Sequence, residues 1–163
     1  MPEMTDAEKA QTMLAVYFRT QAAIEKFMGP QRLPEWTAFM ATFTADGIRT
    51  ANPEPAGQAR ALLGNFSRVL EVYGTDQTLT DTGDQIELKV DRCGIYDYRE
   101  RAGVELTLRK PCEFCVDLRY RTAERLGLDV THTLGERSCQ WRTAVPAAAG
   151  ADRPREQHED GTP

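Results

Sequence analysis

The hydrophobic period of this chain first changes near Thr78, and that change constrains the fold more than any other feature. Before it, apolar residues recur at three- and four-residue spacing; after it they alternate. Thr5-Asp6-Ala7-Glu8 has the capping-box order and opens a first helix with Met13, Val16, Tyr17, Ile24, Phe27 and Met28 as its apolar stripe. Gly29-Pro30 ends that run. A second helix is expected with Pro34 at its first position and Trp36, Phe39, Met40 and Phe43 on one side, closing before Asp46-Gly47. Asn52-Pro53-Glu54-Pro55 reads as a connector. A third helix carries Leu62, Leu63, Phe66, Val69, Leu70 and Tyr73, with Gly74 just past its end.

Beyond Thr78, Gln77–Asp81, the Thr82-Gly83-Asp84 turn and the alternation Ile86, Leu88, Val90 predict a hairpin with one wet face. Cys93 follows its second strand and, by parity, points to the side of Glu87 and Asp91 unless a bulge intervenes. Gly94–Ala102 reads as a short helix ended by Gly103, and Val104–Leu108 alternates as a strand. Glu113–Leu126, behind Pro111, reads as a helix closed by Gly127. Leu128–Leu134 and Cys139–Val145 form a last hairpin around Gly135-Glu136-Arg137-Ser138. The fold class is therefore α+β, with N-terminal helices packed on an antiparallel sheet and a helix following the CxxC.

At 163 residues the chain suits one α+β domain over residues 1–145, whose Cys-rich C-terminal module spans 85–143. Residues 146–163 are poor in apolar side chains and rich in breakers, so a disordered tail is expected there. The net charge of −5 leaves no surplus of Lys and Arg to neutralise phosphates, which argues against nucleic acid as a partner. No apolar run reaches the ~20 residues of a transmembrane helix. The polar N-terminus lacks the order of a signal peptide, so a cytoplasmic location is expected, without a membrane partner.

All four cysteines fall in the C-terminal module, in the pattern C-x18-C-x2-C-x23-C: Cys93, Cys112, Cys115 and Cys139. Cys112 and Cys115 sit at a helix start, where the dipole and free amides favour thiolate. Cys93 at a strand end and Cys139 after a turn are placed to supply two more ligands. Four thiolates suit zinc, the first choice of cofactor, or an iron–sulfur cluster. Two plainer readings remain: four small buried hydrophobes, or a redox-active CEFC pair. Structural disulfides do not fit a reducing compartment.

The segments RCGIYDYRERAG, KPCEFCVDLRYRTAERLG and LGERSCQWRT resemble the L-2-amino-thiazoline-4-carboxylic acid hydrolase-like family. They are also similar to the related vinyl-reductase-type small-molecule-binding domain of bacterial phenol sensors and bacteriochlorophyll biosynthesis. The resemblance covers roughly residues 55–143. It implies a helical part before an α+β module with cysteines at Cys93, at Cys112 and in the closing Gly135…Cys139-Gln140-Trp141 hairpin. It also implies a small-molecule ligand, and in the sensor relatives a Cys-rich metal site beside it. Cys115 departs from that pattern and would complete four thiolates, which closes a zinc site to water. The activity implied is hydrolysis of a C–N or C–S bond in a small heterocycle beside a Cys-ligated metal. A non-catalytic, zinc-stapled ligand-binding or sensor module and an iron–sulfur redox protein are the alternatives.

Further candidates are few. His132, in LDVTHTL, is the candidate general base; the plainer reading is a half-buried strand histidine bonded to a neighbour. Asp117 could support a thiolate-bound metal, or simply be a carboxylate near a helix N-terminus. Tyr96, Tyr98, Phe114 and Trp141 cluster in sequence around the cysteines and are the candidate ligand-binding residues. Arg119, Arg121 and Arg125, balanced by Glu113, Asp117 and Glu124, read as a solvated ion-paired face. No nucleophile elbow, HExxH or phosphate loop occurs. A homodimer is compatible with everything above.

Overall fold

The computed structural model describes residues 4–102 and 111–147. Helix α1 (Asp6–Met28) leads through a 3₁₀ turn (Pro30–Arg32) into α2 (Leu33–Ala51) and α3 (Pro55–Val72). Strands β1 (Asp76–Asp81) and β2 (Gln85–Arg92) follow. Then come α4 (Gly94–Ala102), α5 (Pro111–Leu126), β3 (Val130–Leu134) and β4 (Cys139–Ala144). The expected helix end at Gly103, the strand over Val104–Leu108 and the tail beyond Ala147 lie outside the described residues. Among those described, no helix is long and apolar enough to cross a membrane.

Local chemistry sets the helix ends. The Thr5 hydroxyl accepts from the Glu8 N–H at 3.3 Å, and the Glu8 carboxylate accepts from the Thr5 N–H at 2.7 Å, completing the capping box. At the end of α3, Gly74 takes φ +69° while its N–H bonds the Glu71 carbonyl and the Thr75 N–H bonds that of Leu70. That is a Schellman motif, which satisfies two carbonyls the helix leaves open. Two boundaries differ from expectation. Helix α2 continues through Asp46-Gly47 to Ala51, because an exposed helical glycine costs only about 1 kcal/mol and neighbouring packing outweighs it. Helix α5 starts at Pro111, which puts Cys112 inside its first turn.

The four strands form one antiparallel sheet in the order β1-β2-β4-β3. Ile86, Leu88 and Val90 from β2, Trp141 and Thr143 from β4 and Val130 from β3 are buried on one face. On the other, Glu87 pairs with Arg142 across the strands at 2.6 Å. Helix α3 covers the dry face through Leu62, Leu63, Phe66 and Leu70, all essentially inaccessible. Trp141 sits at the centre, 1% exposed, with its ring 5.9 Å from Phe66 in an edge-to-face arrangement. Burying a side chain of that size stabilises by roughly 4–5 kcal/mol.

The parity of β2 is broken at its end. Gln77 pairs with Val90 but Asp76 pairs with Arg92, so Asp91 is an extra residue without a partner on β1. A bulge of this kind flips the alternation. Cys93 therefore faces inward and is 8% exposed, not on the wet side of Glu87 and Asp91 that simple parity gives.

The expected apolar stripes of the first two helices are also corrected. Met13, Val16, Phe27 and Met28 of α1 and Phe39 and Phe43 of α2 are exposed. Among the described residues of α1, Phe18 and Gln21 are buried. Helix α2 packs through Leu33, Thr37, Ala41, Ala45 and Ile48, a row of mostly small residues that lets it lie close to Phe114 and Leu118 of α5. Close helix approach favours small side chains at the contact; Trp36 and Met40 of the expected stripe pack at its edge, and Phe39 and Phe43 are left outside.

Gly94 marks the closest backbone approach. Its N–H bonds the Thr75 hydroxyl at 3.0 Å, and a Cβ there would overlap the Tyr73 carbonyl. Gly94→Ala should cost roughly 2–3 kcal/mol in denaturant unfolding, as overpacking against backbone does. Gly47→Ala, at an open helical position with nothing within 4 Å of the new methyl, should stabilise by about 0.5–1 kcal/mol. An unchanged midpoint for Gly94→Ala would show that α4 does not press on the end of α3.

Candidate metal centre

The four cysteines reach one place from three directions. Cys93 is the residue before α4, and its N–H donates to the Arg137 carbonyl at 2.9 Å. That bond ties the end of β2 to the β3–β4 turn. Cys139 opens β4 directly opposite Val90 of β2 and Leu134 of β3. Cys112 and Cys115 come from the start of α5. Arg137 strengthens the junction with ion pairs to Asp97 at 3.3 Å and Glu100 at 2.6 Å, both on α4. Arg92 reaches the same Asp97 at 2.8 Å.

Cys93, Cys112, Cys115 and Cys139 together line a single cavity of about 20 Å³. Phe66, Leu70, Ile95, Val116, Leu134 and Trp141 complete its wall, which is apolar apart from the sulfurs. The cavity has room for about one water-sized body. All four thiols are free. Among the described residues, no set of three or more His, Cys, Asp or Glu side chains is arranged so that it could hold a metal ion as it stands. The sulfurs share a void without converging on a point.

The apolar wall keeps the thiols protonated. Burial pushes the Cys115 thiol up to about 12, with the other three cysteines adding to it and the Arg119 guanidinium opposing. Burial likewise raises Cys139 to about 11. Cys93 is raised by burial too, against the pull of backbone N–H groups of Tyr96 and Ile95 at the start of α4. Several neutral thiols in an apolar wall have no reason to crowd together. Donors that favour thiolate are nonetheless in place. Besides those two amides, the buried indole N–H of Trp141 makes no well-formed hydrogen bond but lies close enough to Cys139 to stabilise its ionised form. The Cys112 thiol donates to the Tyr96 hydroxyl at 3.7 Å.

The other expected site residues do not gather into a pocket. Trp141 lines the thiol cavity and Tyr96 touches Cys112. Tyr98, in contrast, is core, stacked on Phe18 at 5.3 Å and edge-on to Tyr73 at 5.7 Å. Phe114 stacks on Trp36 at 5.2 Å under α2. The apolar area of those two rings is consumed in packing. His132 bonds the Tyr120 hydroxyl through Nδ1 at 2.9 Å and stacks on Trp141 at 4.9 Å, as the plainer reading has it. Asp117 is ion-paired with Arg121 one turn on, at 2.7 Å. Neither His132 nor Asp117 lines the cavity.

Two contributors escape a reading of the sequence. Arg119 is not on a solvated face: it is 6% exposed, with its guanidinium 4.4 Å from the centre of the Phe66 ring. Its position four residues after Cys115, on the same side of α5, is the signal that could have revealed it. Arg137 joins α4 across more than thirty residues, which no local pattern encodes. No family model matches this chain, and no curated protein matches it.

The raised thiols fix a pH dependence. Unfolded cysteines ionise near 9, whereas Cys115 and Cys139 in the fold hold their protons to about 12 and 11. The folded chain binds more protons in that window, so chelator-treated protein should be fully stable below about pH 9 and lose stability as pH climbs towards 12. The buried phenols of Tyr73 and Tyr96, also raised, act in the same direction. Cys115→Ala should shrink the alkaline loss by roughly 2–4 kcal/mol, read from urea midpoints. The same loss in the variant as in the native chain would mean that Cys115 is solvated.

Proposed function

We propose that Cys93, Cys112, Cys115 and Cys139 bind one zinc ion as four thiolates, and that the chain is a metal-stapled α+β module. The observation that carries this reading is that all four cysteines, from the end of β2, the start of α5 and the start of β4, line one ion-sized cavity. Soft sulfur ligands in tetrahedral number suit zinc. A divalent cation inverts the local electrostatics: the thiols that repel one another as anions become mutually tolerated ligands, and deprotonate as they bind. The α4 amides at Cys93 and the indole N–H at Cys139 are then donors to bound thiolate. Small rotations of the four side chains into the void would close the site.

Four thiolates leave no position for water, so the ion supplies folding energy and not Lewis-acid chemistry. It would join α5 to the sheet end and α4, which the Arg137 contacts already tie to each other. Hydrolysis of a small heterocycle, which the resemblance to thiazoline-carboxylate hydrolases implies, would need a substrate site elsewhere. Organic ligands occupy roughly 300–1,000 Å³, far above this cavity. An iron–sulfur cluster is also larger than the void.

Metal analysis of protein purified without chelator should give one zinc per chain. Cobalt substitution should produce the intense ligand-field bands of tetrahedral thiolate coordination. Each Cys→Ser variant should lower both metal content and melting temperature, because binding and folding are linked. On acidification the metal should leave as the thiolates take up protons. Stoichiometric zinc in Cys93→Ser and Cys139→Ser at native affinity would defeat the four-ligand site. Brown protein with equimolar sulfide would replace it with a cluster.

A further inference from the structure

Helices α1 and α2 each carry two apolar faces, and the single chain buries one of each. On α1, Met13, Val16, Thr20, Ala23 and Phe27 follow one another at alternating spacings of three and four. This row lies opposite the buried Phe18 and Gln21, and all five of its members are exposed. The surface along it between Val16 and Met28, with Arg19 at its edge, is shallow, open and mostly apolar. On α2, Phe39 and Phe43 lie two residues to either side of the fully buried Ala41, hence on the opposite face. Their rings meet edge to face at 4.8 Å, forming one aromatic ridge.

The amount of surface is that of an interface. Met13, Val16, Phe27, Met28, Phe39 and Phe43 are between 54% and 79% exposed. At about 200 Å² for a side chain of this size, they present roughly 700 Å² of apolar surface. A stable protein–protein interface buries about 800 Å² on each partner. The C-terminal residues 148–163 contain no large apolar side chain and cannot supply the cover.

Charge selects the partner. The outward row of α1 is flanked on one side by Arg19 and Lys26, and that of α2 by Glu35 and Asp46. Glu35 and Asp46 engage Arg32 and Asp46's own neighbour Arg49 in exposed pairs three residues apart, which cost little to exchange. An α1–α1 contact would set Arg19 and Lys26 against themselves. An α1–α2 contact sets them against carboxylates. We propose that two copies of this chain associate about a two-fold axis, the Phe39–Phe43 ridge of each lying on the exposed apolar row of α1 of the other. Such an isologous contact is closed, uses both surfaces of both copies and ends at the dimer.

Sedimentation of the full chain at micromolar concentration should give twice 18.3 kDa. Phe39→Asp with Phe43→Asp should give a folded monomer, since both side chains are already outside the core. Arg19→Glu with Lys26→Glu should also give a monomer, as should Glu35→Lys with Asp46→Lys. The fourfold variant, with both signs exchanged, should regain the dimer, and the two charge variants mixed should form a heterodimer. A native chain that sediments as a monomer, a dimer that survives the Phe pair, or a fourfold variant that stays monomeric would each overturn the proposal. A self-pairing of α1 would reveal itself as an unaffected Glu35→Lys/Asp46→Lys dimer, and would overturn it too.

Discussion

The burial of Trp141 against Phe66 is the contact through which the two halves of the chain are held. Strand β4 lies between β2 and β3, so its central residue meets Leu88 on one side and His132 on the other. Its indole then takes the middle of the only face that α3 can cover while keeping the Glu87–Arg142 side wet. Helix α3 has to run over this ring, and α5 has to close the far side with Thr122 and Ala123, both essentially inaccessible. A residue this large at the centre of a one-sided sheet leaves little freedom in where the covering helices lie.

From that arrangement the cysteine cavity follows. The bulge at Asp91 turns Cys93 towards the helices, and the bond from its N–H to the Arg137 carbonyl draws the β3–β4 turn, with Cys139 behind it, to the same end of the sheet. Helix α5 enters there. Its two cysteines, partly buried, line the cavity near Arg119, whose guanidinium lies on Phe66. The result is a set of thiols held in an apolar wall where ionisation is costly without a cation. A cation bound there would offset that cost as the thiols release their protons, which is how the proposed zinc ion would couple to folding.

The N-terminal helices show the opposite situation. They are held by Phe18 in the main core and by the Thr37–Ala41–Ala45 row and Trp36 against α5, while Met13, Phe27, Phe39 and Phe43 face water. A row of alanines and a threonine packs closely and leaves no room for Phe39 or Phe43. Apolar residues in excess of what one chain can bury are what the proposed dimer would use.

The sequence by itself determined the local structure. The capping box at Thr5, the glycine ends at Gly29, Gly74 and Gly127, the period change near Thr78 and both hairpins follow from rules that act over a few residues. The α+β class and the gathering of four cysteines at one end of the module were legible in the same way. Tertiary structure decided which side of an amphipathic pattern is inside. On α1 and α2 two apolar faces compete, and the identity of the neighbour, the close-packing surface of α5, selects the one with small residues. It also decided the direction of Cys93, because a bulge depends on pairing with β1. The fate of Arg119, Tyr98 and Phe114 was set likewise by rings and helices remote in sequence. Periodicity reports that a residue can be buried; only the partner surface fixes whether it is.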